Sequence, residues 1–155
     1  MAYISQFEDF LQQELFLAQQ IQALMLKEQT ALSDNQIEAL EQLRPLSVDA
    51  VNMLKAHSSK RLVWMQQHNL PLNASCLSHP DLNNAVNIRR LWQALEQQYL
   101  SNQKLSAKLA EIVLASRLRA QQKIRILQGR QNAPQLYNNK GKASRLNSGS
   151  GYIQA

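Results

Sequence analysis

Residues 81–130 contain no Pro, and no Gly before Gly129, while apolar residues recur at three- and four-residue spacing. Ile88, Leu91, Trp92, Leu95, Tyr99, Leu105, Leu109, Ile112, Val113, Ser116, Ala120, Ile124 and Leu127 fall on or beside one helical stripe. The pattern predicts a single helix of about fifty residues, spanning roughly 75 Å at 1.5 Å per residue. No single globular core is that long, so helices of the same chain must cover part of it and leave the remainder open.

Two shorter stretches can supply the cover. Ile4, Phe7, Phe10, Leu11, Leu15, Ala18, Ile21, Leu24, Met25 and Leu32 define a first helix over about 3–32, with Glu8, Asp9 and Glu14 in its first turns opposing the positive helix end. Ser33 and Gln36 have the form of a capping box, with Asp34 and Asn35 as further cap formers, so the connection is short and the next helix turns back antiparallel. That second helix is expected over about 34–68, carried by Ile37, Leu40, Leu43, Val48, Val51, Leu54, Leu62 and Met65. Pro45 predicts a kink or short break inside it. Residues 69–80, with Pro71, Pro80 and several Asn and Ser, form the main loop, and Pro80-Asp81 suits the start of the third helix.

Only 6% of the 155 residues are aromatic and four are Gly, while Leu, Ala and Gln dominate, which argues against a sandwich or an α/β enzyme. The expected fold is all-α: a three-helix antiparallel coiled bundle with a long third helix and a disordered C-terminal tail. In domain terms this is a helical bundle over 1–130 and a flexible basic tail over 131–155, rich in Asn, Ser, Gly, Lys and Arg. The third helix outruns the second by about 15 residues, or roughly 20 Å. Residues 116–127, with Leu118, Ile124, Ile126 and Leu127, are therefore expected to lie beyond the first corner as an uncovered apolar stretch suited to a partner helix.

Charge is unevenly placed. Residues 1–80 carry five Lys/Arg against eight Asp/Glu, net −3; residues 81–155 carry twelve against three, net +9, with no acid after Glu111. Such a segment suits nucleic acid, an anionic membrane surface or an acidic protein partner. The early acids and the lack of a long apolar run predict neither a secretory signal nor a membrane-spanning helix, and a single cysteine, Cys76, fits a reducing cytoplasm. Cys76, His79, His57 and His68 lack the paired spacing of a zinc site and are read as surface histidines and a lone thiol. With no phosphate-binding Gly loop and no nucleophile paired to a base, neither cofactor nor catalysis is expected.

Several short segments together resemble one known family. Lys27-Glu28-Gln29-Thr30-Ala31-Leu32, then Asp34, then Leu40-Glu41-Gln42-Leu43 is similar to the first helical corner of the FlgN family of flagellar export chaperones. Leu91-Trp92-Gln93-Ala94-Leu95 is similar to that family's third helix, Pro134-Gln135-Leu136-Tyr137-Asn138-Asn139-Lys140-Gly141 to its Leu-Tyr-x-x-x-Gly element, and Gly151-Tyr152-Ile153 to its ending. The family's mid-helix Asn-x-x-Asn-Gly is replaced here by Ser106, Leu109 and Ala110, which should stiffen the helix.

The resemblance implies a cytoplasmic chaperone, not an enzyme, that binds the hook-filament junction proteins FlgK and FlgL before type III export. It implies substrate contact by the C-terminal half of helix three, here Ile112, Val113, Leu118, Ile124 and Leu127. It also implies docking on the export gate protein FlhA through Leu136, Tyr137 and Gly141, and an unloaded chain is free to dimerise through its open stripe. The rival reading is non-specific nucleic-acid binding by Arg117, Arg119, Lys123, Arg125 and Arg130.

Overall fold

The computed structural model describes residues 2–138, with side chains through 129. It is all-α: α1 (Ala2–Ser33), α2 (Ile37–Gln67) and α3 (Val86–Asn138), with a short 3-10 turn at Ala74–Ser78. The chain divides into two compact units, the first ending at Ile112 and the second beginning at Val113.

Within the first unit, cross-helix bonds set the directions of the three helices. Ser47 donates to Glu28, and the His57 ring bonds the Phe10 carbonyl at 3.0 Å, so α1 and α2 run antiparallel. Phe7 lies 6.4 Å from Trp92 between ring centres, Tyr99 donates to Glu14 and Asn102 donates to the Ala18 carbonyl at 2.9 Å, so contacts advance together along both helices and α3 runs parallel to α1. The core is concentrated near the 69–85 connection. Phe7 and Leu11 of α1, Trp64 and Met65 of α2, and Ile88, Leu91, Trp92 and Leu95 of α3 are buried there together with Leu70, Cys76 and Leu82. Phe7 stacks on Trp64 with centroids 5.2 Å apart, a pairing that adds to simple area burial.

One polar group lies inside this apolar layer. Glu14 is fully buried; it was expected in a solvated first turn, but it sits one helical turn beyond Leu11, on the same inward face. Its carboxylate accepts a hydrogen bond from Arg61 Nε, a second from Arg61 Nη2 at 3.2 Å and a third from the Tyr99 hydroxyl. Arg61 is itself buried, bonds Met65 Sδ at 3.2 Å, and stacks 5.4 Å from the Trp92 ring centre. Burial first, and then the bond to Glu14, raise the Tyr99 pKa well above the ordinary tyrosine value, so the phenol remains a donor at neutral pH. Each helix contributes one member of this cluster.

The connections differ from expectation in ways the backbone explains. No capping box forms: Ser33 is the last residue of α1, and Gln36 makes no side-chain cap. Asn35 instead takes a left-handed conformation (φ 55°), and Gln36 N–H reaches back to the Ala31 carbonyl at 2.8 Å, so the corner is a C-terminal Schellman closure. Asn69 (φ 56°) closes α2 in the same way, with Leu70 N–H bonded to the Met65 carbonyl and the Leu70 side chain buried. α2 continues through Pro45 without a break. Pro45 and Glu41 are both exposed, so water can satisfy the Glu41 carbonyl that proline leaves unbonded.

α3 starts at Val86 rather than at Pro80-Asp81, because the preceding residues form successive turns (Leu82 N–H to His79, Ala85 N–H to Leu82) that drive Leu82 into the core. At its other end α3 runs to Asn138, past Gly129. A lone glycine costs a helix only about 1 kcal/mol, and Leu127, Gln128, Arg130 and Gln131 around it are good helix formers. The tail was expected over 131–155; residues 131–138 instead belong to α3, and 139–155 lie outside the described residues.

Cys76 is buried, and loss of solvation pushes its thiol up to about 11. His57 and His68 are half-buried rather than at the surface, each bonded to a backbone carbonyl of a helix (Phe10 and Trp64). Among the described residues no three His, Cys, Asp or Glu gather as metal ligands.

Removing Glu14 while Arg61 stays buried should destabilise the first unit by roughly 3–5 kcal/mol. Urea unfolding of Glu14→Ala followed by circular dichroism measures this, and a loss below about 1 kcal/mol would mean that the cluster is solvated. At the helix closure, Asn69→Ala should cost about 1 kcal/mol, because a Cβ disfavours the left-handed region, while Asn69→Gly should be close to neutral.

Candidate binding surface

Residues 113–127 are built mostly from Ala, Leu, Arg, Gln and Lys, all strong helix formers, with Ser116 and the β-branched Val113, Ile124 and Ile126 as the exceptions. The helix here does not bury its apolar side chains. Leu114, Leu118, Ile124, Ile126 and Leu127 are 51–62% exposed, in contrast to 0–8% for Ile88, Leu91, Trp92, Leu95 and Leu109 on the same helix. α3 has 53 residues, whereas α1 has 32 and α2 has 31, so no other helix of the chain is long enough to flank it from end to end. A run of large exposed apolar residues of this kind marks an interaction surface.

The charged residues here are of one sign. Arg117, Arg119, Lys123 and Arg125 are all exposed, and none forms an ion pair among the described residues. The surface is therefore greasy and basic, without a carboxylate, a thiol or a histidine to do chemistry. It can bind but offers no nucleophile or general base.

The residues singled out from sequence fall into three groups. Leu118, Ile124 and Leu127 are exposed on this stretch. Ile112 and Val113 are half-buried, Ile112 closing the first unit and Val113 opening the second. Leu136 and Tyr137 belong to the last turn of α3, and Gly141 lies outside the described residues. Sequence reading missed Leu114, which lies off the single stripe by which the helix was recognised. Assigning each residue its angle around the helix would have found it.

A second apolar surface occurs in the first unit, at the α1–α2 corner. Leu26, Ala31, Ala39, Leu43 and Leu46 line an open groove of ≈ 500 Å³, bordered by Lys27, Thr30, Gln36 and Gln42. The segments 27–32 and 40–43, which carry the resemblance noted above, form much of its wall.

The fold and surface together define a helical binding protein, with one well-packed core in its first unit and large exposed apolar side chains over 114–127 of its long helix. Residues 1–145 match the family described as FlgN protein, and the chain belongs to that family. FlgN proteins are flagellar export chaperones for the hook-associated proteins FlgK and FlgL, and they are not enzymes. No curated protein and no solved structure matches the chain. No helix among the described residues is long and apolar enough to cross a membrane.

Because these side chains are already in water, a charge there should leave the fold intact. Ile124→Glu should shift unfolding stability by no more than about 0.5 kcal/mol. A loss of 2 kcal/mol or more in urea titration would show that the stretch is packed in solution.

Proposed function

We propose that residues 113–127 of α3 form the surface that holds FlgK or FlgL before export, through amphipathic segments of those proteins that are unfolded or loosely helical at that stage. The reading is carried by one observation: five large apolar side chains on this stretch are half or more exposed. Covering them removes apolar area from water, at about 25 cal/mol per Å², and keeps the same area of the client from premature assembly. Val113, Leu118, Ile124 and Leu127 are the central contacts, and Ile112 lies at the inner limit of the surface.

The second part of the proposal concerns delivery. Leu136, Tyr137 and Gly141 dock on the cytoplasmic part of the gate protein FlhA, so the chaperone works in the cytoplasm and hands over its client there. A tyrosine offers a large rigid contact and one hydroxyl at low entropic cost, which suits a brief docking event. The surface for the client and the docking element are separate in sequence, so a loaded chaperone can still reach the gate. Without a client, the open apolar stretch supports a homodimer.

Tyr137→Ala should leave FlgK affinity within twofold of the parent and weaken capture of the loaded complex by the FlhA cytoplasmic domain at least tenfold, both measured by titration calorimetry. Loss of FlgK binding with FlhA capture intact would reverse the two roles. Retention of FlgK in 0.5 M salt separates this reading from non-specific nucleic-acid binding, which weakens steeply as salt rises.

A further inference from the structure

Around an α-helix each residue advances about 100°. Val113, Ser116, Ala120, Ile124 and Leu127 then lie within one sector of about 80°, and Leu114, Leu118 and Ile126 within another of about 120°, the two centred about 170° apart. The sectors are separated by Arg117 along one seam and by Arg119 and Lys123 along the other, while Arg125 sits within the second sector. Both sectors are open: Ile124 and Leu127 are 53% and 60% exposed on the first, and Leu114, Leu118 and Ile126 are 58%, 51% and 62% exposed on the second. This is not the pattern of an ordinary amphipathic helix, which concentrates its apolar residues on one stripe and gives the opposite face to charge.

From this we infer that residues 113–127 are gripped from two opposite sides by two helical segments of one client polypeptide, so that this stretch is the middle member of a three-helix layer. The inference rests on the reading of 113–127 as the client surface. A client that laid a single helix along the first sector would leave Leu114, Leu118 and Ile126 in water. The seams fix the chemistry of the occupant. With no acid after Glu111, three exposed cations border the apolar faces and a fourth, Arg125, lies within the second, so the client segments should carry Asp or Glu beside their own apolar stripes. The same stretch of a second copy is the weaker occupant and is displaced by such a client, because it presents only positive charge to these seams. Joining the two client helices in one chain makes the second contact intramolecular once the first has formed.

Two pairs of substitutions in the full-length chain test the inference, with purified FlgK as the titrant and far-ultraviolet circular dichroism to confirm helicity. Ile124→Gln with Leu127→Gln disables the first sector, and Leu118→Gln with Ile126→Gln disables the second. Each pair should weaken FlgK binding at least tenfold, and the four changes together should abolish it. If only one pair weakens binding, the client covers a single face; the two-sided grip is then wrong while the chaperone surface stands. If neither pair matters, the client surface lies elsewhere and both readings fall. Sedimentation equilibrium of the free chain adds a last arm: a dimer dissolved by the second pair alone, with FlgK affinity unchanged, would assign the second face to another copy and overturn the proposal.

Discussion

The buried contact among Glu14, Arg61 and Tyr99 fixes the alignment of α1, α2 and α3. Hydrophobic side chains are forgiving about sliding by a turn, since one leucine replaces another at modest loss. A buried carboxylate is not forgiving: moved away from its guanidinium, it would be left charged in an apolar layer, with a penalty of several kcal/mol. The contribution of the pair is therefore to make one register much better than its neighbours, whatever its net effect on stability. Asn102 with the Ala18 carbonyl and Ser47 with Glu28 repeat the same register farther along the bundle.

Packing away from this point becomes thinner. The large buried side chains, Phe7, Leu11, Met65, Leu82 and Ile88 among them, are gathered near the 69–85 connection, where the chain also buries Leu70 and Cys76. Toward the α1–α2 corner Leu24, Met25, Leu40, Leu43 and Leu54 are only half-buried, and Leu26 and Leu46 are exposed beside a groove. In the second unit no large apolar side chain of 114–127 is buried. A chaperone of this family has to hold its client and then give it up. A rigid core that carries the fold, with a separate surface kept out of it, lets binding and release proceed without unfolding the carrier.

Much of the fold was legible because the 3.6-residue period is strong in all three helices and the composition excludes most alternatives. Residues 88, 91, 92, 95 and 109 of α3 were recognised from spacing and are buried. The buried polar cluster was not legible. Glu14, Arg61 and Tyr99 are distant in sequence, and single-residue rules place a glutamate or an arginine in solvent. Trp64 was passed over in favour of Leu62, although Trp64 faces the core and Leu62 is only half-buried. The Asn closures at Asn35 and Asn69 were hidden because asparagine serves both helix starts and helix ends, and only the positive φ tells them apart. At the binding surface, the exposed residues Leu118, Ile124, Ile126 and Leu127 were anticipated from the length of the third helix, but a single averaged stripe concealed that they face two ways.

In the proposed mechanism one helix serves two masters, its first part belonging to the core and its second part left for a client. Hydrogen–deuterium exchange of the full-length chain, alone and with FlgK bound, measures both parts in one experiment. Strong protection of amides in 88–95 and 61–65 is expected in both states, with fast exchange over 113–127 in the free chain and slow exchange over the same residues in the complex. Equal protection of 113–127 and the core in the free monomer, or client-induced protection confined to 1–112, would contradict it.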